Sequence, residues 1–204
     1  MAGKTAKPSN DLMLRVRRAF FDHGYSNLSM IGLAKVCGFT RRSLYHYFSS
    51  KEDAFQSLTD FDNRISIEAG FAAAREVKES GGTALDILSK MMDVRYGDLR
   101  REVYVSPHAV ELNAEVFRRS WQIMVGYAIK FHAQLADFLV ELERDGLLKL
   151  KDGASPQHVA KLLANGARGI NQSLPPYPPD ELAPRYREMC EAILYGCTQG
   201  PKPD

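Results

Sequence analysis

Residues 29–51 read SMIGLAKVCGFTRRSLYHYFSSK. Met30, Leu33 and Ala34 recur at helical spacing behind Ser29, whose hydroxyl is able to cap the first free amides, so a short helix starts there and Gly38 ends it. Thr40 offers a second cap, and Leu44 with Phe48 puts an apolar pair on one face of a second short helix. Only Cys37, Gly38 and Phe39 lie between the two. A connection that brief, with a glycine able to adopt the left-handed conformation, forces the helices to cross steeply.

The outer face of the second helix is left with Arg41, Arg42, Ser43, Tyr45, His46 and Tyr47. Arginine forks onto the major-groove edge of guanine, while hydroxyls and lysine hold phosphate, so these residue types suit a DNA groove. The stretch reads as a helix-turn-helix. Its base readers are expected to be Arg41 and Arg42 at the start of the helix, with His46 one turn on. The bland alternative is a solvated basic helix in an all-α domain.

Working outward, Leu12, Val16, Ala19 and Phe20 form an apolar stripe with Arg15, Arg17 and Arg18 facing away, which predicts a first helix from Asn10 or Asp11 to about His23, stopped by Gly24. Before it, residues 1–9 are polar and proline-punctuated. They are expected to be a disordered basic arm whose Lys4 and Lys7 add phosphate attraction. After the quoted stretch, Ser50 and Asp53 suggest a capping box opening a connector helix through Ala54, Phe55, Leu58, Phe61 and Ile65.

Gly81-Gly82 breaks that pattern, and Thr83-x-x-Asp86 opens a helix with Leu85, Leu88, Met92 and Leu99 inside. Pro107 marks a further break. From about Ala114 the spacing of Phe117, Trp121, Met124, Ala128, Phe131, Leu135, Phe138 and Leu142 predicts one long helix ended by Gly146. Ser155-Pro156 starts another, and LPPYPPDEL is a stiff turn into a last one. No segment reads as a strand. The fold class is therefore all-α: a three-helix DNA-binding domain over residues 10–50, then a larger helical domain over 51–204.

Charge follows the same division. Residues 1–51 hold nine Lys or Arg against Asp11 and Asp22, a net of +7, which leaves −5 for the rest of a chain whose total is +2. A basic end on an acidic body is the asymmetry of a protein that meets a polyanion at one end. Three cysteines, Cys37, Cys190 and Cys197, are odd in number and lack metal-ligand spacing, which fits a reduced compartment. Cys190 and Cys197, seven apart, should share a helix face and pack. No apolar run approaches the ~20 residues of a membrane span, so the protein is expected to stay in the cytoplasm. No cofactor or metal is expected.

The segment LAKVCGFTRRSLYHYFSSKEDAF resembles the DNA-binding region of the TetR family of bacterial transcriptional regulators. The likeness is carried by Leu33-Ala34, Gly38, the Leu44-Tyr45-x-x-Phe48 core and the Ser50-Lys51-Glu52 exit. It is strong over about residues 10–60; beyond that it rests on length and helix pattern. Phe39 stands where the family has a smaller aliphatic residue and Cys37 where a small one is usual. The resemblance implies that Ser29, Ser43, Tyr45, Tyr47 and Lys51 contact phosphate. It also implies that a ligand bound in the body shifts the connector helix and releases double-stranded operator DNA, with repression the commoner habit.

One short recognition helix covers few base pairs, so a homodimer is expected. Its seam is expected on the last two helices, through Val159, Leu162, Leu163, Gly166, Ala167 and Ile170 with Leu182, Tyr186, Met189 and Ile193; the alternative is that these residues close the subunit's own core. A pocket for a bulky, mostly apolar effector is expected among Met91, Met92, Arg95, Tyr96, His108, Trp121, Met124, Tyr127 and Phe131, with Arg95 and His108 orienting a carboxylate or hydroxyl. A DNA binder without an effector stays open as an alternative. An enzyme has less to recommend it: His132, His158 and Glu111 are available, but no nucleophile elbow, phosphate loop, HExxH or carboxylate pair accompanies them.

Overall fold

The computed structural model describes residues 6–197, Cys197 by its backbone alone. Lys4 of the expected basic arm and the Cys197 side chain expected to pack beside Cys190 lie outside the described residues. Within them the regular structure is helical: α1 (Asn10–His23), α2 (Met30–Val36), α3 (Arg41–Tyr45), α4 (Lys51–Glu79), α5 (Ala84–Met92), α6 (Asp98–Tyr104), α7 (Ala109–Arg119), α8 (Trp121–Arg144), α9 (Pro156–Asn171) and α10 (Leu182–Cys197). A π-helical segment, Asp93–Gly97, joins α5 to α6.

Helix starts follow the oxygen side chains. Ser9, Ser29, Thr40 and Ser155 each accept a backbone amide of the first turn, and Thr83 with Asp86 completes a capping box. At α4 the arrangement differs by one residue from the expected box. The Asp53 amide donates to Ser50 Oγ at 3.0 Å, but the Asp53 carboxylate takes the Ser49 amide at 2.8 Å.

Two helices depart from the predicted pattern. The long one expected from Ala114 is broken at Ser120, so Phe117 ends in α7 and Trp121 begins α8. Ser120 is 1% exposed, and its hydroxyl pairs at 3.0 Å with that of Thr59, which in turn donates to the Phe55 carbonyl. This buried pairing sets the backbone there, and apolar spacing carries no trace of it. The second departure is the π-helical segment, which interrupts the helix predicted through Met92 and Leu99.

The chain divides into two compact units. One takes the residues up to Arg64 together with Glu102–Gly126; the other takes Ile65–Arg101 and the chain from Tyr127 onward. In the first, Leu12, Val16 and Phe20 of α1, Leu33 of α2, Leu44 of α3, Phe48 of the link that follows it and Phe55 of α4 are all buried. The later segment is tied to this core by polar contacts: the Ser106 hydroxyl donates to the Phe21 carbonyl at 2.6 Å, the Ser26 amide to Glu111 at 2.7 Å, and the Gln56 side chain to the Arg119 carbonyl at 2.7 Å. Gly24, at φ 74°, permits the approach, since a Cβ there would collide with the Glu111 carboxylate.

In the second unit α10 packs on α5 and α9. Leu88, Met91, Met92, Leu135, Leu139, Leu163, Ala164 and Tyr186 are the centre of a single hydrophobic cluster. By length and composition α8 is apolar enough to cross a membrane, contrary to the expectation that no run comes close. Its Phe131, Leu135, Phe138, Leu139 and Leu142 nevertheless lie in this cluster.

One ion pair in the first unit carries a pH signature. Arg17 Nε donates to Asp62 at 3.0 Å and its Nη1 to Glu102 at 3.2 Å. Burial raises the Asp62 carboxyl to about 6 despite the pull of Arg17. An unfolded aspartate titrates near 3.9, so between the two values the folded state holds the extra proton, and the group's contribution to stability falls as pH rises through about 6. Asp62→Asn should therefore gain on the wild type in urea midpoint between pH 4 and pH 7, by up to about 1.4 kcal/mol per pH unit. A difference that stays constant with pH would contradict this.

Candidate nucleic-acid interface

The α2–α3 motif is organised by what it buries. Leu33, Ala34, Cys37, Leu44 and Phe48 are all at most 2% exposed. Burial pushes the Cys37 thiol up to about 11 against the opposing charge of Arg15, so this cysteine is a packing group and not a reactive thiolate. Gly38, at φ 74°, makes the reversal, and the Phe39 amide closes it on the Ala34 carbonyl at 2.8 Å. Thr40 Oγ1 then accepts the Ser43 amide at 3.1 Å, which fixes where α3 starts.

With that face inward, Arg41, Arg42 and His46 are exposed, while Ser43, Tyr45 and Tyr47 are half-buried. The Arg41 guanidinium lies 5.5 Å from the centre of the Tyr45 ring, one turn along. Tyr47 meets Phe39 edge to face at 6.0 Å. α3 is five residues long, so His46 is its C-cap and Phe48 falls beyond it. Ser43 hydrogen-bonds Thr40 through its hydroxyl at 2.8 Å, and Ser29 is exposed while accepting the Gly32 amide.

Lys51 is placed differently from the two arginines. Its Nζ donates to the Tyr25 carbonyl at 2.8 Å and sits 4.2 Å from the Tyr25 ring centre, as does the Arg119 guanidinium. Burial, helped by the Arg119 charge, pulls the Lys51 ammonium below the ordinary lysine range. This lysine is anchored inward. Two further exposed polar residues stand on the motif, Lys35 in the last turn of α2 and the cap Thr40 itself.

Lys7 of the expected disordered arm is described. With Pro8 and Asn10 it lines a shallow groove together with Met13, Gln56, Asp60 and Arg64.

The nine residues predicted to line an effector pocket are divided between the two units. Met91, Met92 and Phe131 are at most 1% exposed and belong to the core of the second unit, with Tyr96 and Tyr127 partly buried against it. Arg95 donates to Ser66 Oγ at 2.8 Å and lies 4.8 Å from the Tyr96 ring and 5.5 Å from that of Phe131. His108, Trp121 and Met124 belong to the first unit. There His108 stands 3.5 Å from Glu111, Trp121 is exposed beside Phe117, and the Asn63 amide reaches the Met124 sulfur at 3.3 Å.

The predicted dimer seam also needs correction. Val159, Leu163, Ala167, Leu182 and Tyr186 are buried in the subunit's own core. A fully buried side chain offers no surface to a partner. Leu162, Gly166, Ile170, Met189 and Ile193 keep some exposure. Even here Gly166 serves the subunit, since a Cβ on it would meet Met189 Sδ at 2.8 Å. Among the described residues no group of three or more His, Cys, Asp or Glu is placed to hold a metal ion.

Residues 16–58 match the family model described as bacterial regulatory proteins, tetR family. Among solved structures, the fold is similar to that of a transcriptional regulator from Cytophaga hutchinsonii ATCC 33406, at 16% identity and TM-score 0.67 over 92% of this chain and 97% of that one. It is also similar to a transcriptional regulator from Rhodococcus sp. Rha1, at 21% identity and TM-score 0.62 over 94% and 98%. SmeT, the repressor of the Stenotrophomonas maltophilia multidrug efflux pump SmeDEF, matches at 14% identity and TM-score 0.62 over 99% and 98%. No relative was found among the curated proteins.

The burial of Met92 separates a core residue from a pocket wall. Met92→Ala should destabilise the ligand-free protein by about 2–5 kcal/mol in urea unfolding, the cost of a large-to-small change in a packed core. A cost below about 1 kcal/mol would return this side chain to a cavity lining.

Proposed function

Residues 16–58 match the model of the TetR family of bacterial regulatory proteins, and we propose that the chain is a DNA-binding regulator of that kind, not an enzyme, that reads and releases an operator. Two copies bind a palindromic site, each laying α3 in the major groove. Arg41 and Arg42 read base edges with His46 beside them, and Ser29, Ser43, Tyr45 and Tyr47 hold phosphate. The observation that carries this reading is the exposure of both guanidiniums on a helix whose start is fixed by Thr40 and Gly38. Preset donors bind with little loss of side-chain freedom.

In this reading Lys51 is a positioning residue. Its bond to Tyr25 holds the first turn of α4 to the loop after α1, and any phosphate contact comes from its remaining donors.

Each subunit contributes the part-exposed residues of α9 and α10, Leu162, Gly166, Ile170, Met189 and Ile193, to a homodimer seam. A mostly apolar effector binds the body and favours one arrangement of it, and α4, continuous from Lys51 to Glu79, passes the change to the reading helices. Effector and operator then disfavour each other reciprocally. The protein acts as a repressor in the cytoplasm.

Arg41→Ala should weaken binding to a selected duplex by about 1–3 kcal/mol and relax the choice at one base position. Titration against selected and random duplexes across salt measures both, and an equal loss on the two would remove Arg41 as a base reader. Leu162→Glu should convert the dimer to monomer in sedimentation while leaving the helical spectrum intact. A dimer that persists would move the seam elsewhere.

A further inference from the structure

The two arginines of α3 stand in different surroundings. Between Ser29 and Lys51 the sequence has no Asp or Glu, so neither guanidinium has a carboxylate within its own motif. Arg41 has a ring instead. Its guanidinium carbon lies over the Tyr45 ring, 5.5 Å from the centre. Among the described residues Arg42 makes no such contact with a tyrosine, phenylalanine or tryptophan ring.

The pairing follows from helix geometry. Side chains four apart share a face, and each Cα–Cβ bond tilts toward the helix N-terminus, so a ring at the later position leans back over the earlier residue. Tyr45 is half-buried beside the fully buried Leu44, while Arg41 is exposed. The ring is therefore the anchored member of the pair. Tyr47 is used differently: it meets Phe39 edge to face at 6.0 Å and lies tilted to Phe48 at 6.4 Å. Among the described residues Tyr45 packs against no second aromatic ring, and its face is left to the cation.

A ring is a partner that leaves the arginine able to read. A carboxylate would occupy the two parallel N–H groups that the O6 and N7 edge of guanine needs. A π face attracts the charge and consumes no hydrogen-bond donor. At an exposed site the attraction favours the paired geometry by a factor of about two to five, and a side chain already held in place loses less freedom on binding.

We infer that Tyr45 is a positioning residue that sets specificity: its ring holds the Arg41 guanidinium for a guanine in each operator half-site, a role separate from the phosphate contact of its hydroxyl. The inference rests on the reading of α3 as the base-reading helix. It adds the residue that orients the first arginine and the base that this arginine selects.

The test uses the full chain on a duplex obtained by random-oligonucleotide selection and on derivatives in which each base pair of a half-site is replaced in turn. Arg41→Ala locates the position that Arg41 reads, where base preference is lost, and this should be a G·C pair. At that position Tyr45→Leu should reduce the preference by about two- to fivefold. Tyr45→Phe should keep the preference while weakening binding to all duplexes alike, since the ring stays and the hydroxyl goes. Added to Arg41→Ala, Tyr45→Leu should have no further effect on the preference there, the mark of coupled residues. Leucine is a good helix former, and the melting midpoint and helical spectrum check that each variant folds.

A preference that survives Tyr45→Leu in a folded protein, or one lost equally in Tyr45→Phe and Tyr45→Leu, overturns the positioning role and leaves Arg41 as a base reader. An A·T pair at the Arg41 position overturns the guanine assignment. A loss spread evenly over all duplexes in Arg41→Ala removes the base-reading role, and the role of Tyr45 with it.

Discussion

A chain that reverses direction between α2 and α3 has few backbone solutions. Gly38 takes a positive φ, the Phe39 amide returns to the Ala34 carbonyl, and Thr40 is already extended and capping the next helix. Left-handed backbone at Gly38 would be strained for any residue with a Cβ. Everything on the outward side of α3 depends on this reversal, because it fixes which residues of a five-residue helix are buried. Leu44 goes in, so Arg41, Arg42 and His46 face out.

Around that motif the first unit uses a ring as its fastener. Tyr25 packs edge-on against Phe55 at 5.1 Å and near-parallel to Phe20 at 6.0 Å. The Lys51 ammonium and the Arg119 guanidinium approach the same ring. Arg119 is itself held by Glu115 and reaches Glu52 at 3.4 Å. Each cation on an aromatic face contributes about 0.5–1 kcal/mol at a partly exposed site. More than the energy, the arrangement explains why residues 102–126 belong with the helix-turn-helix and not with the body that follows them in the chain.

The second unit solves a different problem. Its core is apolar and close-packed around Tyr186, whose hydroxyl is satisfied by Asn171 and whose phenol burial pushes well above the ordinary tyrosine range. Cys190, pushed to about 12 by burial, is another packing thiol. A π-helical segment, Asp93–Gly97, borders this core, and the Asn171 side chain that satisfies Tyr186 also donates to the Tyr96 carbonyl within it.

The sequence by itself determined the all-α class, the helix starts at Ser29, Thr40, Thr83 and Ser155, and the outward face of α3. Caps, glycine turns and the spacing of apolar residues act within a few positions, so their effect is legible without knowing what packs where. Only the tertiary structure decided that Ser120 divides a helix, since the hydroxyl that satisfies it sits on Thr59, 61 residues away. Only the tertiary structure showed Lys51 turned inward to Tyr25, Met92 and Phe131 sealed in the core, and Val159, Leu163 and Tyr186 buried within their own subunit. An apolar stripe states that a helix face will be covered. It carries no information on whether the cover is the same chain, a second copy or a ligand, because all three are recognised by the same loss of contact with water.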